Sequence, residues 1–315
     1  MVGDTRSAAA PPAATRLGWI GVGVMGHSMA GRLLAAGFPL TLFSRRRSSA
    51  EPLLARGAAW AESPAAVAAA SDVVFTMVGH PADVRAVVLG PDGVLAAAAP
   101  GTILVDHTTS APELAEEIAA LAADHGIASL DAPVSGGDRG AREGTLTVMV
   151  GGSAQAREAV AACWRATAGT VVPCGGPGSG QRTKLANQIA IASGMIGMCE
   201  SLLFAHRAGL DLETTLRAIS PGAAGSWSMS NLAPRILRGD FAPGFMVEHI
   251  VKDMGLALEE CRRMRIDLPG LALAARLYDR LVAAGRGRLG TQALMLALAE
   301  QAGSAWPDTP PTQPA

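Results

Sequence analysis

The pattern of apolar residues changes once along this chain, close to its midpoint. Before Gly178, short apolar runs alternate with stretches of helical spacing, whereas from Gln181 to Gln301 apolar residues recur at helical spacing. Alternating strands and helices predict βαβ units and a doubly wound parallel sheet. Continuous helical spacing predicts an all-α domain. The 315 residues are enough for two domains with separate cores.

The predicted domain limits follow from this change. We predict an α/β Rossmann-type domain over residues 16–178 and an all-α domain over residues 179–302, which begins with a long interdomain helix. Residues 1–15 and 303–315 are rich in proline, with alanine in the first, and predict a disordered leader and a disordered tail. Gly194 and Gly197 lie inside the long helix, where glycine is unfavourable by up to about 1 kcal/mol. That cost favours a close helix–helix approach at these positions.

Composition excludes several classes of partner. A formal net charge of -1 argues against nucleic acid or an anionic membrane as the main partner. The apolar stretch around residues 189–205 is interrupted by Ser193 and Glu200, which predicts a buried helix rather than a membrane span. Four cysteines without a CxxC motif are typical of a reduced, cytoplasmic protein. Six histidines show no metal-ligand spacing, so we predict no metal site.

A G-x-G-x-x-G motif follows the first predicted strand and opens the first predicted helix. In this context it predicts a dinucleotide site, in which Gly21 makes the turn, Gly23 lets the backbone approach a pyrophosphate and Gly26 allows close helix–strand packing. Amide groups at the start of the helix, near Val24 and Met25, are expected to bind the phosphates. A glycine-rich turn without a ligand is the alternative interpretation.

The end of the second predicted strand indicates which dinucleotide is bound. Ser44, Arg45, Arg46 and Arg47 follow one another there, and no acidic residue appears before Glu51. Many NAD sites place an acid at this point, and an acid would repel a 2′-phosphate, whereas arginine binds phosphate bidentately. We therefore expect NADP(H) to be favoured over NAD(H), with Ser44, Arg45 and Arg46 as contacts. A solvated run of charge is the alternative.

Other candidate residues lie where predicted strands end. Residues 106–109 and 131–137 each follow a strand, as do the predicted cofactor contacts Met77 and Val78. Because carboxyl ends of parallel strands face the cofactor crevice, these segments are expected near the nicotinamide. The loop of Ser135, Gly136 and Gly137 offers a hydroxyl group and backbone amides that suit a carboxylate.

The segment that opens the long helix contains a lysine. Lys184, Asn187 and Gln188 are three and four residues apart, so they share one helix face. Reduction of a carbonyl by hydride needs a proton for the developing alkoxide. A lysine is a weak acid at its unperturbed pKa of about 10.4, but burial and a helix N-terminus both lower that value. Lys184 is thus a candidate proton donor, or else a solvated residue at a helix start.

Taken together, these motifs resemble the β-hydroxyacid dehydrogenase family. That family includes 3-hydroxyisobutyrate dehydrogenase, tartronate semialdehyde reductase and glyoxylate/succinic semialdehyde reductases. The resemblance covers about residues 17–301 and rests on GVGVMG, DAPVSGGDRGAREGT, GSGQRTKLANQ and the pair Lys252-Asp253. It implies a 6-phosphogluconate dehydrogenase-like C-terminal domain and a homodimer or homotetramer.

The resemblance also implies roles for individual residues. Lys184 corresponds to the catalytic acid/base, and Ser135, Gly136 and Gly137 to the residues that bind the substrate carboxylate. Thr109 corresponds to a threonine near both nicotinamide and substrate, and Lys252 to a cofactor-binding lysine.

Substrate binding is also implied for Asn187 and Gln188. Many family members carry two asparagines where this chain has Asn187 and Gln188, and the second asparagine helps to hold the substrate. The tartronate semialdehyde reductases are similar to this chain at that point. The effect of the glutamine is left open.

The expected activity is NAD(P)H-dependent interconversion of a small β-hydroxyacid and its semialdehyde or 2-oxoacid. The substrate is then a small carboxylate. Two alternatives stay open. An imine reductase shares the architecture but generally lacks the lysine, and a non-catalytic NADPH-binding module would bind cofactor without turnover.

Overall fold

The computed structural model describes residues 15–304 and 306. The chain divides into two compact units, Met1–Lys184 and Leu185–Ala315. Most of the predicted leader and tail lies outside the described residues. Trp306 does not, and the prediction of disorder is wrong for this residue. Its side chain is buried within the core of the second unit, and its Nε1 donates a hydrogen bond to the Ile236 oxygen at 3.3 Å.

One sheet organises the first unit. Its parallel strands are β1 (Leu17–Ile20), β2 (Leu40–Phe43), β3 (Ala59–Trp60), β4 (Val73–Thr76), β5 (Ile103–Asp106) and β6 (Ala128–Asp131). They lie in the spatial order β3-β2-β1-β4-β5-β6, which is the strand order of a dinucleotide-binding Rossmann domain. The predicted fold class is therefore confirmed for this unit.

The sheet continues beyond β6 with three more strands, β7 (Val134–Ser135), β8 (Leu146–Gly151) and β9 (Ala168–Gly175). Strand β8 pairs antiparallel with β6 and β7 and parallel with β9. The helices of this unit are α1 (Val24–Ala35), α2 (Glu51–Leu54), α3 (Pro64–Ala69), α4 (Pro81–Leu89), α5 (Pro112–Asp124), α6 (Gly137–Glu143), α7 (Ala154–Ala159) and α8 (Ala161–Thr167).

Helices cover both faces of the sheet, which is why β1 and β4 are buried along their whole length. Trp19 packs into a core with residues of α1 and α8, whereas its neighbour Ile20 packs into a second core with residues of α3, α4 and α5. Successive side chains of a strand point to opposite faces, so two continuous apolar strands can fill two cores.

The second unit is helical. Its helices are α9 (Ser179–Arg207), α10 (Leu212–Ile219), α11 (Trp227–Asn231), α12 (Ala233–Leu237), α13 (Val247–Met264), α14 (Pro269–Ala283) and α15 (Leu294–Gln301). The all-α prediction is confirmed. The first six residues of α9 belong to the first unit, although the sequence predicted the division at residue 178. The reason is that the start of α9 is hydrogen-bonded to Asp131 at the end of β6 and to the loop after β5.

Helix α9 is, within the part of the chain that the structure describes, the one helix long and apolar enough to cross a membrane. Core helices of soluble proteins pass the same test of length and composition. Met195, Cys199 and Leu202 of α9 are buried in the core of the second unit.

The two glycines of α9 face away from this core. A Cβ atom added at Gly194 or Gly197 would meet no described atom within 4 Å. Thus the close approach predicted at these glycines is not made by another described helix of the same chain.

Candidate active site

The carboxyl ends of the central parallel strands are in register. Ile20 pairs with Thr76, Thr76 with Asp106, and Asp106 with Asp131 across β1, β4, β5 and β6. The loops that follow these residues therefore leave the sheet along one edge. In open α/β sheets this edge forms the ligand crevice.

The glycine motif lies at this edge and fits a pyrophosphate. Gly21 has φ +98°, and a Cβ there would lie 2.2 Å from the Met77 oxygen. A Cβ at Gly26 would lie 2.0 Å from the Gly21 oxygen, so helix α1 packs directly against the turn. By contrast, Gly23 is exposed with nothing within 4 Å of an added Cβ, and no described side chain caps α1. Open backbone at an uncapped helix start, next to Val24 and Met25, suits phosphate.

The predicted contacts Met77 and Val78 lie beside the glycine turn. The Met77 amide donates to the Ile20 oxygen at 2.9 Å. The Val78 amide donates to Thr108 Oγ1 at 3.0 Å, which ties the loop after β4 to the loop after β5. The structure thus brings together three of the segments that the sequence assigned to the cofactor.

The arginines after β2 differ in their surroundings. Arg45 has an 83% exposed side chain, and its Nη1 lies 3.4 Å from Asp83 Oδ1. Arg46 is exposed at the beginning of a short 3-10 helix, and Ser44 is half-buried. Arg47 instead stacks its guanidinium 5.2 Å from the Trp60 ring centre and lies 3.6 Å from Glu62. These contacts hold Arg47 to Trp60 and Glu62, whereas Arg45 and Arg46 are exposed and Arg45 is paired with Asp83.

Asp106 is a buried carboxyl group at the end of β5. Its Oδ1 accepts hydrogen bonds from Thr76 Oγ1 at 2.7 Å and from the Thr108 amide at 3.0 Å. Burial raises the pKa of Asp106 to about 6, although the hydrogen bonds from Thr76 and Thr108 act in the opposite direction. The carboxyl group thus holds the first turn of the loop that leads to Thr109, which is half-buried.

His107 packs as a neutral core residue. Its ring stacks at 5.6 Å and 5° on Phe75, and its Nδ1 lies 2.6 Å from the Ala132 oxygen, to which it donates when protonated there. Burial lowers the pKa of His107 to about 4, so the imidazole is neutral at pH 7. His107 is thus a buried packing residue next to the loop that contains Thr109.

Lys184 is 7% exposed, so it is not a solvated helix-start residue. Three residues earlier, Gln181 is fully buried, and its main-chain N–H donates to Asp131 Oδ2 at 2.8 Å. Asp131 Oδ1 accepts from the Gly178 amide at 2.9 Å. Burial raises the pKa of Asp131, and the amides of Gln181 and Gly178 partly offset that effect.

The segment predicted to bind the substrate carboxylate is part of a strand and a helix. Ser135 belongs to β7 and pairs with Thr147, and Gly136 and Gly137 lead directly into α6. The two glycines have φ values of +127° and +63°, which L side chains rarely adopt. Both are exposed, and a Cβ at Gly137 would meet nothing within 4 Å. Their backbone is therefore accessible to a small anion.

In the second unit, Asn187 and Gln188 form part of a chain of polar contacts. Asn187 Nδ2 donates to Gln188 Oε1 at 2.8 Å, and Gln188 Nε2 donates to Asp253 Oδ2 at 2.6 Å. Lys252 Nζ lies 3.0 Å from Asp253 Oδ1. Gln188 is 1% exposed and Asp253 2% exposed, so Gln188 supports Asn187 and is itself shielded. Lys252 and Asp253 form a largely buried pair.

A profile of the NAD binding domain of 6-phosphogluconate dehydrogenase matches residues 16–176. A second profile, the NAD-binding region of NADP-dependent 3-hydroxyisobutyrate dehydrogenase, matches residues 178–298. An Arabidopsis thaliana protein named probable 3-hydroxyisobutyrate dehydrogenase-like 1, mitochondrial, is 53% identical over 91% of this chain and 86% of its own. The chain belongs to the β-hydroxyacid dehydrogenase family.

Two more relatives of this β-hydroxyacid dehydrogenase have assigned reactions. The 2-hydroxy-3-oxopropionate reductase of Escherichia coli is 36% identical over 90% of this chain and 97% of its own. The structure of 3-hydroxyisobutyrate dehydrogenase from Mycobacterium tuberculosis with L-serine has a TM-score of 0.83 and 32% identity, covering 90% of this chain and 99% of that chain. The prediction of an NAD(P)-dependent oxidoreductase for small hydroxyacids is confirmed by this family membership and by the named relatives.

Sequence reasoning did not assign site roles to Asp106, Asp131, Gln181 and Asp253 in this dehydrogenase. The available signal was positional, because Asp106 and Asp131 each end an apolar strand. A polar residue that ends a buried strand has to find partners within the protein. No spacing rule pointed to Gln181 or Asp253. Gln181 accepts from Ser110, 71 residues earlier, and Asp253 accepts from Gln188, 65 residues earlier.

Replacement of Asp106 by asparagine is expected to change how stability depends on pH. The pKa is 3.8 for the ordinary carboxyl group and about 6 in the folded dehydrogenase, so between these values the folded state binds more protons. Stability of the wild type then falls as pH rises through this window, by on the order of 3 kcal/mol from this one group.

Urea unfolding at intervals from pH 4 to pH 7 measures this effect. His107 and Asp131 are present in both proteins, so the difference in unfolding free energy between variant and wild type reports on Asp106 and its interaction with Asp131. The difference should rise with pH in favour of Asp106→Asn. A difference that stays flat or falls with pH would show that Asp106 is ionised in the folded protein without cost.

Proposed function

We propose that this dehydrogenase reduces a small semialdehyde or 2-oxoacid with NADPH, and that Lys184 donates the proton. The observation that carries the proposal is the position of Lys184. It is 7% exposed and lies one helical turn beyond Gln181, whose side chain contacts the loop after β5. The start of α9 and the glycine motif therefore contact the same carboxyl edge of the sheet.

Lys184 performs the proton transfer in this proposal. The bound dinucleotide supplies the hydride. The ammonium group of Lys184 donates a hydrogen bond to the substrate carbonyl oxygen and transfers its proton as negative charge develops there. In the oxidative direction the neutral amine accepts the hydroxyl proton.

The substrate carboxylate is proposed to bind the backbone at Ser135, Gly136 and Gly137. The exposed glycine backbone there supports this assignment. Asn187 lies three residues after Lys184 on α9 and is half-buried, so it is proposed to contact the substrate. We assign Gln188 a supporting role, because both ends of its amide are already hydrogen-bonded. Thr109 and Lys252 stay predicted contacts of the nicotinamide and the cofactor.

The preference for NADPH is proposed from Arg45 and Arg46. Both are exposed after β2, where the adenosine ribose lies in Rossmann domains, and Ser44 offers a hydroxyl group beside them. Guanidinium groups bind a phosphate through paired hydrogen bonds. The profile that matches residues 178–298 describes an NADP-dependent enzyme, which supports the same choice.

We also propose that the enzyme is a homodimer or homotetramer built on α9. Ala190, Gly194, Gly197 and Phe204 recur at helical spacing on one exposed face of this helix, and Phe204 is 73% exposed. Small residues let a second helix approach closely, and a large exposed aromatic side chain favours burial against another surface. A second copy of the chain satisfies both. A cytoplasmic location stays a prediction.

Lys184→Ala is expected to lower kcat for reduction by about 10²- to 10⁴-fold, the range for loss of a general acid. The dissociation constant of NADPH, measured by fluorescence titration, should stay within about twofold. Turnover is measured with glyoxylate, succinic semialdehyde and a cyclic imine as substrates. A variant that keeps wild-type activity would refute the role of Lys184. Wild-type activity on the imine alone would favour an imine reductase.

Arg45→Ala/Arg46→Ala is expected to raise the KM for NADPH at least about tenfold and to leave the KM for NADH nearly unchanged. Arg47→Ala is the matched control, because its guanidinium contacts Trp60 and Glu62. Steady-state kinetics with both cofactors give the comparison. A wild-type preference for NADH, or an equal effect of the control, would overturn the assignment.

Gly197→Glu is expected to reduce the oligomer to a smaller species, because it places a charge in the proposed helix contact. Gly255→Glu on α13 is the matched control, since Gly255 is also an exposed helical glycine with nothing within 4 Å of an added Cβ. Light scattering after size exclusion measures the mass. If the wild type is a monomer, or if the control has the same effect, the α9 interface is wrong.

A further inference from the structure

The side chain of Gln181 is fully buried and hydrogen-bonded at both ends. Its Oε1 accepts from the Ser110 amide at 2.9 Å, and its Nε2 donates to the Thr108 oxygen at 2.7 Å. The side-chain amide has one favourable orientation. If it were rotated by 180°, Nε2 would face the Ser110 N–H and Oε1 would face the Thr108 oxygen, and both hydrogen bonds would be lost. Gln181 therefore acts as a rigid bridge between α9 and the loop after β5.

The two partners of this bridge flank Thr109. Thr108 and Ser110 are each 1% exposed, whereas Thr109 between them is half-buried. The bridge contacts main-chain atoms on both sides of Thr109, and Asp106 fixes the same loop from the strand side through the Thr108 amide. The backbone around Thr109 is thus held from two directions.

Gln181 is itself fixed at its backbone. Asp131 accepts the Gln181 amide with Oδ2 and the Gly178 amide with Oδ1, so one carboxylate satisfies two amides at the start of α9. A Cβ at Gly180 would lie 2.5 Å from the main-chain oxygens of Asp131 and Met149. The start of the helix therefore cannot shift or rotate without breaking these contacts.

Lys184 lies one turn further along the same face of α9. Residues three apart on a helix are neighbours, separated by about 4.5 Å along the axis. The contacts that fix the backbone of Gln181 therefore also fix the Cα atom of Lys184. A displacement of about 1 Å at a reacting group costs as much as 100-fold in rate, so this placement affects catalysis.

We propose that Gln181, anchored by Asp131, is a positioning residue that holds Lys184 in register with the loop of Thr109. The proposal rests on the proposed role of Lys184 as proton donor. Gln181 does not transfer a proton. It fixes the distance between the helix that carries the donor and the loop expected beside the nicotinamide.

The first test replaces Gln181 by methionine, which keeps the length of the side chain and removes both hydrogen bonds. We expect kcat to fall about 10- to 100-fold with glyoxylate or succinic semialdehyde, whichever the wild type reduces faster, while the KM for NADPH stays within about twofold. Glu116→Gln is the control, because it breaks the exposed ion pair with Arg182 on the outer side of the same turn. The control should stay within about twofold of wild type, and an equal loss there would overturn the proposal.

A double-mutant cycle separates positioning of Lys184 from a general structural effect. In the Lys184→Ala background, with methylammonium added to restore turnover, Gln181→Met should cost less than about twofold. If the loss is as large as in the wild-type background, Gln181 acts independently of Lys184 and the proposal fails. If Lys184→Ala alone retains full activity, the proposed function fails instead, and the two outcomes are distinct.

Gln181→Glu gives a second variant that does not depend on an apolar replacement. A protonated glutamic acid can accept from the Ser110 amide and donate to the Thr108 oxygen, whereas the ionised form cannot donate. Its kcat relative to wild type should therefore rise as pH falls, whereas the relative kcat of Gln181→Met stays low throughout. A relative kcat for Gln181→Glu that does not depend on pH would contradict the bridge.

Discussion

The carboxylate of Asp131 connects the sheet of this dehydrogenase to the helix that carries its candidate proton donor. It ends β6 and accepts the amides of Gly178 and Gln181. A carboxylate at a helix N-terminus satisfies unpaired amides and interacts favourably with the helix dipole. Burial raises the pKa of this carboxyl group, and the hydrogen bonds from the two amides lower it, so the amides favour the ionised form. Position of the helix and ionisation of the carboxylate are therefore linked.

The same principle operates along the whole sheet edge. Polar groups at the ends of β4 and β5 are hydrogen-bonded to one another: Thr76 Oγ1 donates to Asp106 Oδ1, and the Val78 amide donates to Thr108 Oγ1. A network of buried hydrogen bonds rigidifies the site that it surrounds. The loops after β4 and β5, joined by the Val78–Thr108 hydrogen bond, lie beside the glycine turn, where a ligand is expected. A site built this way needs little reorganisation when substrate binds.

The fold and the glycine turn were predictable from sequence because they depend on local patterns. Gly21 and Gly26 stand next to the strand and helix that require them, so the motif and its context lie within one short stretch. Gln188 was less predictable, since its partner Asp253 belongs to a distant helix and removes it from the surface. Trp306 was assigned to a disordered tail on composition, yet one large side chain found a place in the helical core.

By itself, the sequence determined the succession of strands and helices, the glycine turn, the arginines after β2 and the presence of Lys184 at a helix start. These follow from periodicity and from residue types that act over a few neighbours. Only the tertiary structure decided that Gln181 would bridge the loop of Thr109 and that Asp131 would hold it. Hydrogen bonds between residues far apart in sequence leave no periodic signal, because their geometry arises only when the strands pair in register.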